Sequence, residues 1–531
     1  MASVDTVQFL RRCLPPTWSA SPDSDGGGAG RWRRVAAGAA VLLVVGSGCT
    51  DTDPSPAPPA SPVPTSAPRP FTVVTTDQVE TTDPAAAVDQ GSMIVVTNVF
   101  QRLLSSAPGQ SEVAPGVVAY KPDLARDCSY TAKTTFECVL NENTTFSNGD
   151  PLTSTDVKFS IERAIRLDVA GSSASALSSL RRIDTPDPMT VRFLLTRYDR
   201  QFGWALASPA ASIVDHAVYD GDDVQAADAP IVGSGPFTMT RRGQDTLDLT
   251  RFDRYVGRTP AKLAGLRVVT EPDSAAVEGA ITTGKADLTW RGLSNAAQAR
   301  LDAQVGASPP AGTDSLTRVV APGARVLQLR WNPTSPHRSS ADLRKVVATT
   351  LQEDRTSDSL VPPQVPGHRA AFPLGGKATT TTELDDRISL TLGYDPTIPD
   401  AADLAAQLRS RLEGIGGVSV RLVAGNTDAD LLLEDRKAWT PTALAWLQPF
   451  LDSPLASSAE TVERAELQAR TGETPIVTDT ALAALQAQAG NDRTVLPLTQ
   501  HDENLYLRGA EMDPASFGPT WQLGLWGIQT Q

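Results

Sequence analysis

Residues 136–165 read FECVLNENTTFSNGDPLTSTDVKFSIERAI, and no other stretch restricts the fold as tightly. The β-type residues at its start, the turn signals Asn148-Gly149-Asp150-Pro151 and the apolar spacing at its end predict strand, turn and helix in immediate succession. Thr153 is placed to cap the helix. Asp156, three residues on, completes a capping box and complements the helix dipole. Val157, Ile161 and Ile165 fall at i, i+4 and i+8 and predict one buried stripe. The segment therefore launches a core helix directly from a turn: Gly149 and Pro151 shape the turn and the helix face is core, so they read as structural rather than as ligand contacts.

The same alternation continues along the chain. Residues 71–75 (FTVVT), 265–270 (GLRVVT), 326–331 (VLQLRW), 388–393 (ISLTLG) and 418–423 (VSVRLV) read as strands. Residues 401–413 carry alanine and leucine at helical spacing, with Gly414, Gly416 and Gly417 as stop signals. The pattern is α/β without an internal repeat. At 531 residues the chain exceeds one ordinary core, and about 150 residues per domain gives about three units. A net charge of -14 excludes a nucleic-acid binder, which needs a basic face. A mean hydropathy of -0.18 excludes a multi-span membrane protein.

The first seventy residues read as an address and a tether. Residues 35–45 (VAAGAAVLLVV) are too short to cross a hydrocarbon core of ~30 Å. Arg31, Arg33 and Arg34 precede them, and Gly46-Ser47-Gly48-Cys49 follows, which is the layout of a secretory signal. Cys49 after small residues resembles a bacterial lipobox, although Gly46 stands where leucine is usual. A plain signal peptide or a single-pass anchor with Cys49 incidental is the alternative. On the lipoprotein reading, residues 1–48 are a signal peptide with an N-terminal extension, and residues 49–70 are a lipidated cysteine and its tether. Eight of the twenty residues from 51 to 70 are proline. In polyproline II, at ~3.1 Å per residue, the stalk reaches roughly 60 Å. Cleavage before Cys49 removes five arginines and three aspartates, leaving 42 basic and 58 acidic groups and a charge of -16.

Cys128 and Cys138 flank a short polar stretch that suits a hairpin, and in an oxidising compartment they predict a local disulfide. The loop-entropy model gives roughly 3 kcal/mol for it. No histidine lies near them to suggest a metal. His216, His337, His368 and His501 are scattered, with no zinc-ligand spacing. G-x-S-x-G, H-E-x-x-H, a Walker loop and G-x-G-x-x-G after a strand are all missing. The expectation is a non-enzyme, without cofactor or metal.

Residues 136–165 resemble the signature of the oligopeptide- and dipeptide-binding lipoproteins of ABC importers, extracellular solute-binding protein family 5. The match runs through Phe146, Asn148, Gly149, Pro151, Leu152, Thr153, Asp156, Val157, Phe159 and Ser160. Thr81-Thr82-Asp83-Pro84 is similar to that family's early "LDP", and residues 230–237 (PIVGSGPF) to its "PVGTGPY" turn. Residues 284–291 (GKADLTWR) resemble its "G-x-x-D" strand, and Leu496-Pro497-Leu498 its late "IPL" strand. Residues 330–355 also find a counterpart, so the resemblance covers essentially the whole body from residue 71.

What the resemblance implies is a two-lobed periplasmic-binding-protein-like α/β fold (type II) with a ligand cleft between the lobes. Lobe one takes residues 71–98, 228–322 and 497–531; an extra subdomain of lobe one takes 99–227; lobe two takes 323–495. Strands near 325–332 and 494–500 act as hinges. The partners implied are a peptide or small-molecule solute, ABC permease subunits and the membrane through the lipid anchor, with no nucleic acid and a monomeric receptor. The protein is then exported and lipid-anchored on the outer face of the cell membrane. One departure concerns the ligand. Peptide-binding members carry an aspartate for the peptide amino terminus after a tryptophan, whereas residues 430–441 here read DLLLEDRKAWTP. Asp435 can still serve as that anchor, or belong to a solvated charge cluster; Arg436 or Lys437 better suits a ligand carboxylate. The other cleft candidates are Gln78, Glu80, Trp290, Arg291, Trp439, Trp446, Gln500 and His501. An envelope lipoprotein that senses, scaffolds or regulates without transport is the alternative function.

Overall fold

The computed structural model describes residues 69–105, 112–114, 117–118, 120–307, 314–375, 387–414, 416–425, 427–517 and 523–530. The leader, Cys49 and the tether lie outside the described residues. Residues 68–531 form one unit, to which the following applies.

Parallel strands buried on both faces need continuous apolar runs. Phe71–Thr75 is such a run, buried from its second residue onward. It pairs in parallel with Gly265–Thr270 and with Leu288–Thr289. A second parallel group forms around Ile388–Tyr394, between Val418–Ala424 and Leu431–Arg436. Two long antiparallel strands, Leu316–Trp331 and Val495–Arg508, join the groups into a ten-stranded sheet. Its order is Phe237–Arg242, Thr246–Arg251, Gly265–Thr270, Phe71–Thr75, Leu288–Thr289, Val495–Arg508, Leu316–Trp331, Leu431–Arg436, Ile388–Tyr394, Val418–Ala424.

The two long strands pair twice. Leu316 to Ala321 face Arg508 to Glu503, the register then shifts, and Arg325 to Arg330 face His501 to Val495. A bulge of this kind bends a strand and raises its twist, and it sits where the sheet passes from one parallel group to the other. A second shift falls beside Pro497, which has no N–H to give a ladder. The core divides at the same place. One cluster gathers Val73, Ile94, Phe136, Phe193 and Leu505, another Leu329, Trp331, Leu392, Trp446 and Leu485. The protein is two-lobed.

A four-stranded antiparallel sheet of Ala125–Ala132, Thr135–Leu140, Thr190–Leu195 and Leu180–Asp187 shares the core of the first lobe through Phe136, Val191 and Phe193. Cys128 and Cys138 face each other across its first hairpin and are joined, with Cα atoms 4.1 Å apart. The helix Ser154–Leu167 starts with the full capping box of Thr153 and Asp156. Its buried stripe differs from the expected one: Val157, Ile161 and Ala164 are buried, and Ile165 is 40% exposed. At 100° per residue, position i+7 returns to the face of Val157 while i+8 has rotated well past it.

The same helix supplies the tie between this subdomain and the start of lobe one. Arg163, fully buried, forks onto Asp83 with Nη1–Oδ1 at 2.9 Å and Nη2–Oδ2 at 2.6 Å, and donates through Nη2 to the carbonyl of Asp223 at 2.6 Å. Removing one partner of a buried pair leaves a charge that nothing compensates. Arg163→Ala should therefore lower unfolding free energy by about 3–5 kcal/mol, read as a drop in urea midpoint at unchanged m-value. A loss under 1 kcal/mol would mean that the pair is not the tie.

Candidate functional site

At the end of the short strand Leu288–Thr289 the backbone turns through two residues in the left-handed region, Arg291 with φ 54° and Gly292 with φ 67°. A Cβ on Gly292 would lie 2.9 Å from the amide nitrogen of Thr76, so glycine is required there. For Arg291 the conformation costs about 1–2 kcal/mol. The turn separates two neighbours. Trp290 goes into the lobe-one core, edge-on to Phe517, and Arg291 points to the other lobe, 4% exposed.

Arg291 becomes the centre of a buried cluster of three bases and three acids. Its Nη2 bonds Asp435, on the lobe-two strand Leu431–Arg436, and its Nη1 lies 3.3 Å from Glu503. Its Nε lies 3.4 Å from Asp77, just past the first strand. Arg325, at the register shift, also reaches Asp435, with Nη2–Oδ2 at 2.8 Å and Nε–Oδ2 at 3.0 Å. Lys437, with no exposed side-chain surface, stands 2.9 Å from Glu503 and 4.8 Å from the centre of the Trp290 ring.

The acids divide by the company they keep. Burial pushes each of them up. For Asp435 the attraction of Arg291, then Arg325 and Lys437, overcomes it and holds the carboxyl well below its usual range. Glu503 is lowered too, against burial, by Lys437 and Arg291. Asp77 has chiefly Arg291, opposed by Asp435 and Glu503, and is pushed up to about 6.

Beside the cluster lies a cavity of about 550 Å³, within the range of small-molecule sites. Leu293 and Asn295 wall it from one lobe, Ile398 and Leu404 from the other, and Arg325 and Asp435 between them. Asp435 Oδ2 carries both guanidinium groups, while its Oδ1 meets no donor among the described residues. The lobes also meet outside the cluster. Thr76 Oγ1 donates to the Thr397 carbonyl at 3.1 Å, and the Asn295 amide to Asp400 Oδ2 at 2.7 Å.

Of the candidate residues, Arg291, Asp435 and His501 come together here; Arg291 and Asp435 join the cluster, and Asp435 and His501 line the cavity. Trp290 is one step behind, in the core. Gln500 donates to Gln364 Oε1 at 2.8 Å on the lobe-two side. Trp439 packs on Ala87, Met93 and Val96 of the other lobe, outside the cavity. Trp446 is not at the cleft: its helix, Ala443–Leu451, turns it into the lobe-two core. Arg436 alternates away from Asp435 on the same strand and donates to the Ala445 carbonyl at 2.7 Å. Gln78 and Glu80 are exposed and line no part of the cavity. Asp77, Arg325 and Glu503 escape sequence reasoning, although Asp77 is adjacent to Gln78, and Arg325 and Glu503 lie on the crossing strands.

Two lobes joined by crossing strands, with a cavity and a charge cluster between them, define a receptor that encloses a solute. The chain belongs to the bacterial extracellular solute-binding proteins, family 5, whose model matches residues 119–408. A probable D,D-dipeptide-binding periplasmic protein of Escherichia coli is 24% identical over 392 residues, 67% of this chain and 72% of that one. The fold is that of the binding protein AgaA of A. tumefacien R10, solved with agropinic acid (TM-score 0.74, 17% identity, 87% of this chain and 98% of that one). A dipeptide-binding protein of Pseudoalteromonas sp. SM9913, solved with Met-Leu, is similar as well (TM-score 0.71, 15% identity, 87% and 100%). Among the described residues no helix is long and apolar enough to cross a membrane.

Asp77 sets a pH signature. The native state keeps this proton up to about pH 6, whereas the unfolded chain releases it near 3.8. Native protein binds more protons in that window and loses stability as pH rises through it. Asp435 and Glu503 have the opposite sign, and their contribution is lost only on acidification below the unfolded carboxylate range. Asp77→Asn should thus gain on the parent protein by up to about 3 kcal/mol between roughly pH 4 and pH 7, measured by denaturant unfolding at each pH. Parallel curves for the two proteins would rule out the raised carboxyl.

Proposed function

We propose that this protein is an exported receptor, anchored through a lipidated Cys49 and a proline-rich stalk to the outer face of the cell membrane. It captures a peptide or related small solute between its lobes and delivers it to the permease of an ABC importer. The observation that carries this reading is the interlobe cavity of about 550 Å³ with Asp435 in its wall. Asp435 is held ionised by Arg291 and Arg325, and its Oδ1 has no donor among the described residues; the side chain is covered here, so a ligand ammonium or amide N–H reaches it once the neighbouring side chains part. A charge-assisted bond of this kind is stronger than a neutral one. The relative named for D,D-dipeptides and the neighbour solved with Met-Leu support a peptide, while the neighbour solved with agropinic acid supports a wider class of small solutes.

One observation favours a second reading, an envelope lipoprotein of this fold that senses or scaffolds without transport. Arg291 already occupies Asp435, so the lobes are bridged by the protein's own charges.

Native mass spectrometry of protein purified without refolding separates the two. A receptor retains a small solute, and Leu404→Trp, which fills the cavity from one wall, abolishes retention while the melting temperature changes little. Retention unchanged in that variant would place the ligand elsewhere, and empty parent protein that no peptide mixture stabilises would favour the second reading. For the anchor, Cys49→Ser should move the protein from the membrane fraction to the medium; a variant still on the membrane would remove the lipid from the proposal.

A further inference from the structure

A second cavity, of about 280 Å³, lies in the first lobe and shares no lining residue with the interlobe one. It opens just past the helix Gln90–Val99, between Tyr255, Arg258 and Thr259 on one side and Asp513, Ala515, Gly524 and Trp526 on the other. Arg102 lines it and is 4% exposed. Its guanidinium Nε and Nη1 have no hydrogen-bond acceptor among the described residues. The nearest acid, Asp123, is engaged elsewhere: Oδ1 accepts from Gln101 Nε2 at 3.1 Å and Oδ2 from the Arg102 amide at 3.3 Å.

A guanidinium cannot shed its proton to escape burial as a lysine can. Burial lowers the Arg102 pKa, and Asp123 offsets this only in part. Buried guanidinium N–H groups without an acceptor are costly to keep dry unless something brings one. Two further cations, Lys121 and the exposed Arg258, line the same cavity against two acids, Asp123 and Asp513, so the bases outnumber the acids, and Tyr255 and Trp526 are among its walls. A planar fork of donors against aromatic walls fits a carboxylate on an apolar body, because a carboxylate takes two parallel N–H bonds from one guanidinium.

We infer that this lobe-one cavity is a second binding site, specific for a small organic carboxylate held by the Arg102 guanidinium with its apolar part between the Tyr255 and Trp526 rings. The site is independent of the cleft and of the solute carried there.

The test uses benzoate, its cationic isostere benzamidine, and 4-bromobenzoate on the full-length protein. Calorimetry should detect benzoate and not benzamidine, and bromine anomalous scattering from co-crystals should lie in this cavity with the carboxylate on Arg102. Arg102→Gln should weaken benzoate by about tenfold or more, the size of a lost bond to a charged group. Arg258→Ala, a surface change that leaves the fold intact, should weaken it a few-fold. Leu404→Trp, in the cleft, should leave benzoate binding unchanged, so that failure of the cleft reading and failure of this one are told apart. Equal affinity for benzoate and benzamidine, bromine only in the cleft, or ordered water alone on Arg102 would overturn the site. If Arg102→Gln fails to fold, the charge preference and the Arg258→Ala result decide it.

Discussion

The bond from Arg291 to Asp435 links a left-handed turn in one lobe to a strand in the other, and the site is organised around it. A buried ion pair of this kind adds little net stability, because desolvating both charges offsets most of the attraction. Its effect lies in what it forbids. With Arg325 and Lys437 supplying the other bases, and Asp77 and Glu503 the other acids, the charges balance only when both lobes are in place. Parting the lobes takes Arg291 away from Asp435, and water must then replace the protein partners. The cluster thereby favours this one arrangement of the lobes.

This alters how a solute acts on the receptor. A ligand shifts a conformational equilibrium only by its differential affinity for the two states. Where closure rests on ligand contacts alone, the ligand supplies the whole difference. If this receptor closes on its solute, the Arg291 to Asp435 contact would supply part of it from within the chain. Less is then required of the ligand, and the penalty for populating the competent state is reduced. The cavity wall agrees with this: Leu293, Leu327, Ile398, Leu404 and Leu433 are aliphatic, and no phenylalanine, tyrosine or tryptophan lines the cavity among the described residues. Contacts of that kind fit shape and hydrophobic area more than one ring system.

What was legible in the sequence was local. The capping box of Thr153 and Asp156, the strand Phe71–Thr75 and the helix Ala401–Glu413 each depend on residues within a few positions of one another, and they appear as the spacing indicates. The disulfide is local as well, across one hairpin. The charge cluster joins residues 77, 291, 325, 435, 437 and 503, and no periodicity relates them. Asp435 and Arg436 are neighbours with opposite fates because strand alternation sends one into the cluster and the other toward Ala445. Trp446 could be read as a cleft aromatic only because sequence does not say which face of its helix is covered. Ile165 stands off the stripe because two successive i+4 steps outrun a helix that turns about every 3.6 residues.

The crossing strands explain why the link between the lobes and the site are the same object. Leu316–Trp331 contributes Arg325 at its register shift, and Val495–Arg508 contributes His501 and Glu503 on either side of the matching position. In a sheet of uniform register, residues 325 and 503 would belong to a regular ladder with side chains alternating up and down. The shift re-aims them, so that Arg325 meets Asp435 and Glu503 meets Lys437 and Arg291. Bending at this point must move those charges relative to Asp435. Any movement of one lobe against the other that bends the sheet at this shift would therefore dismantle the charge cluster as well.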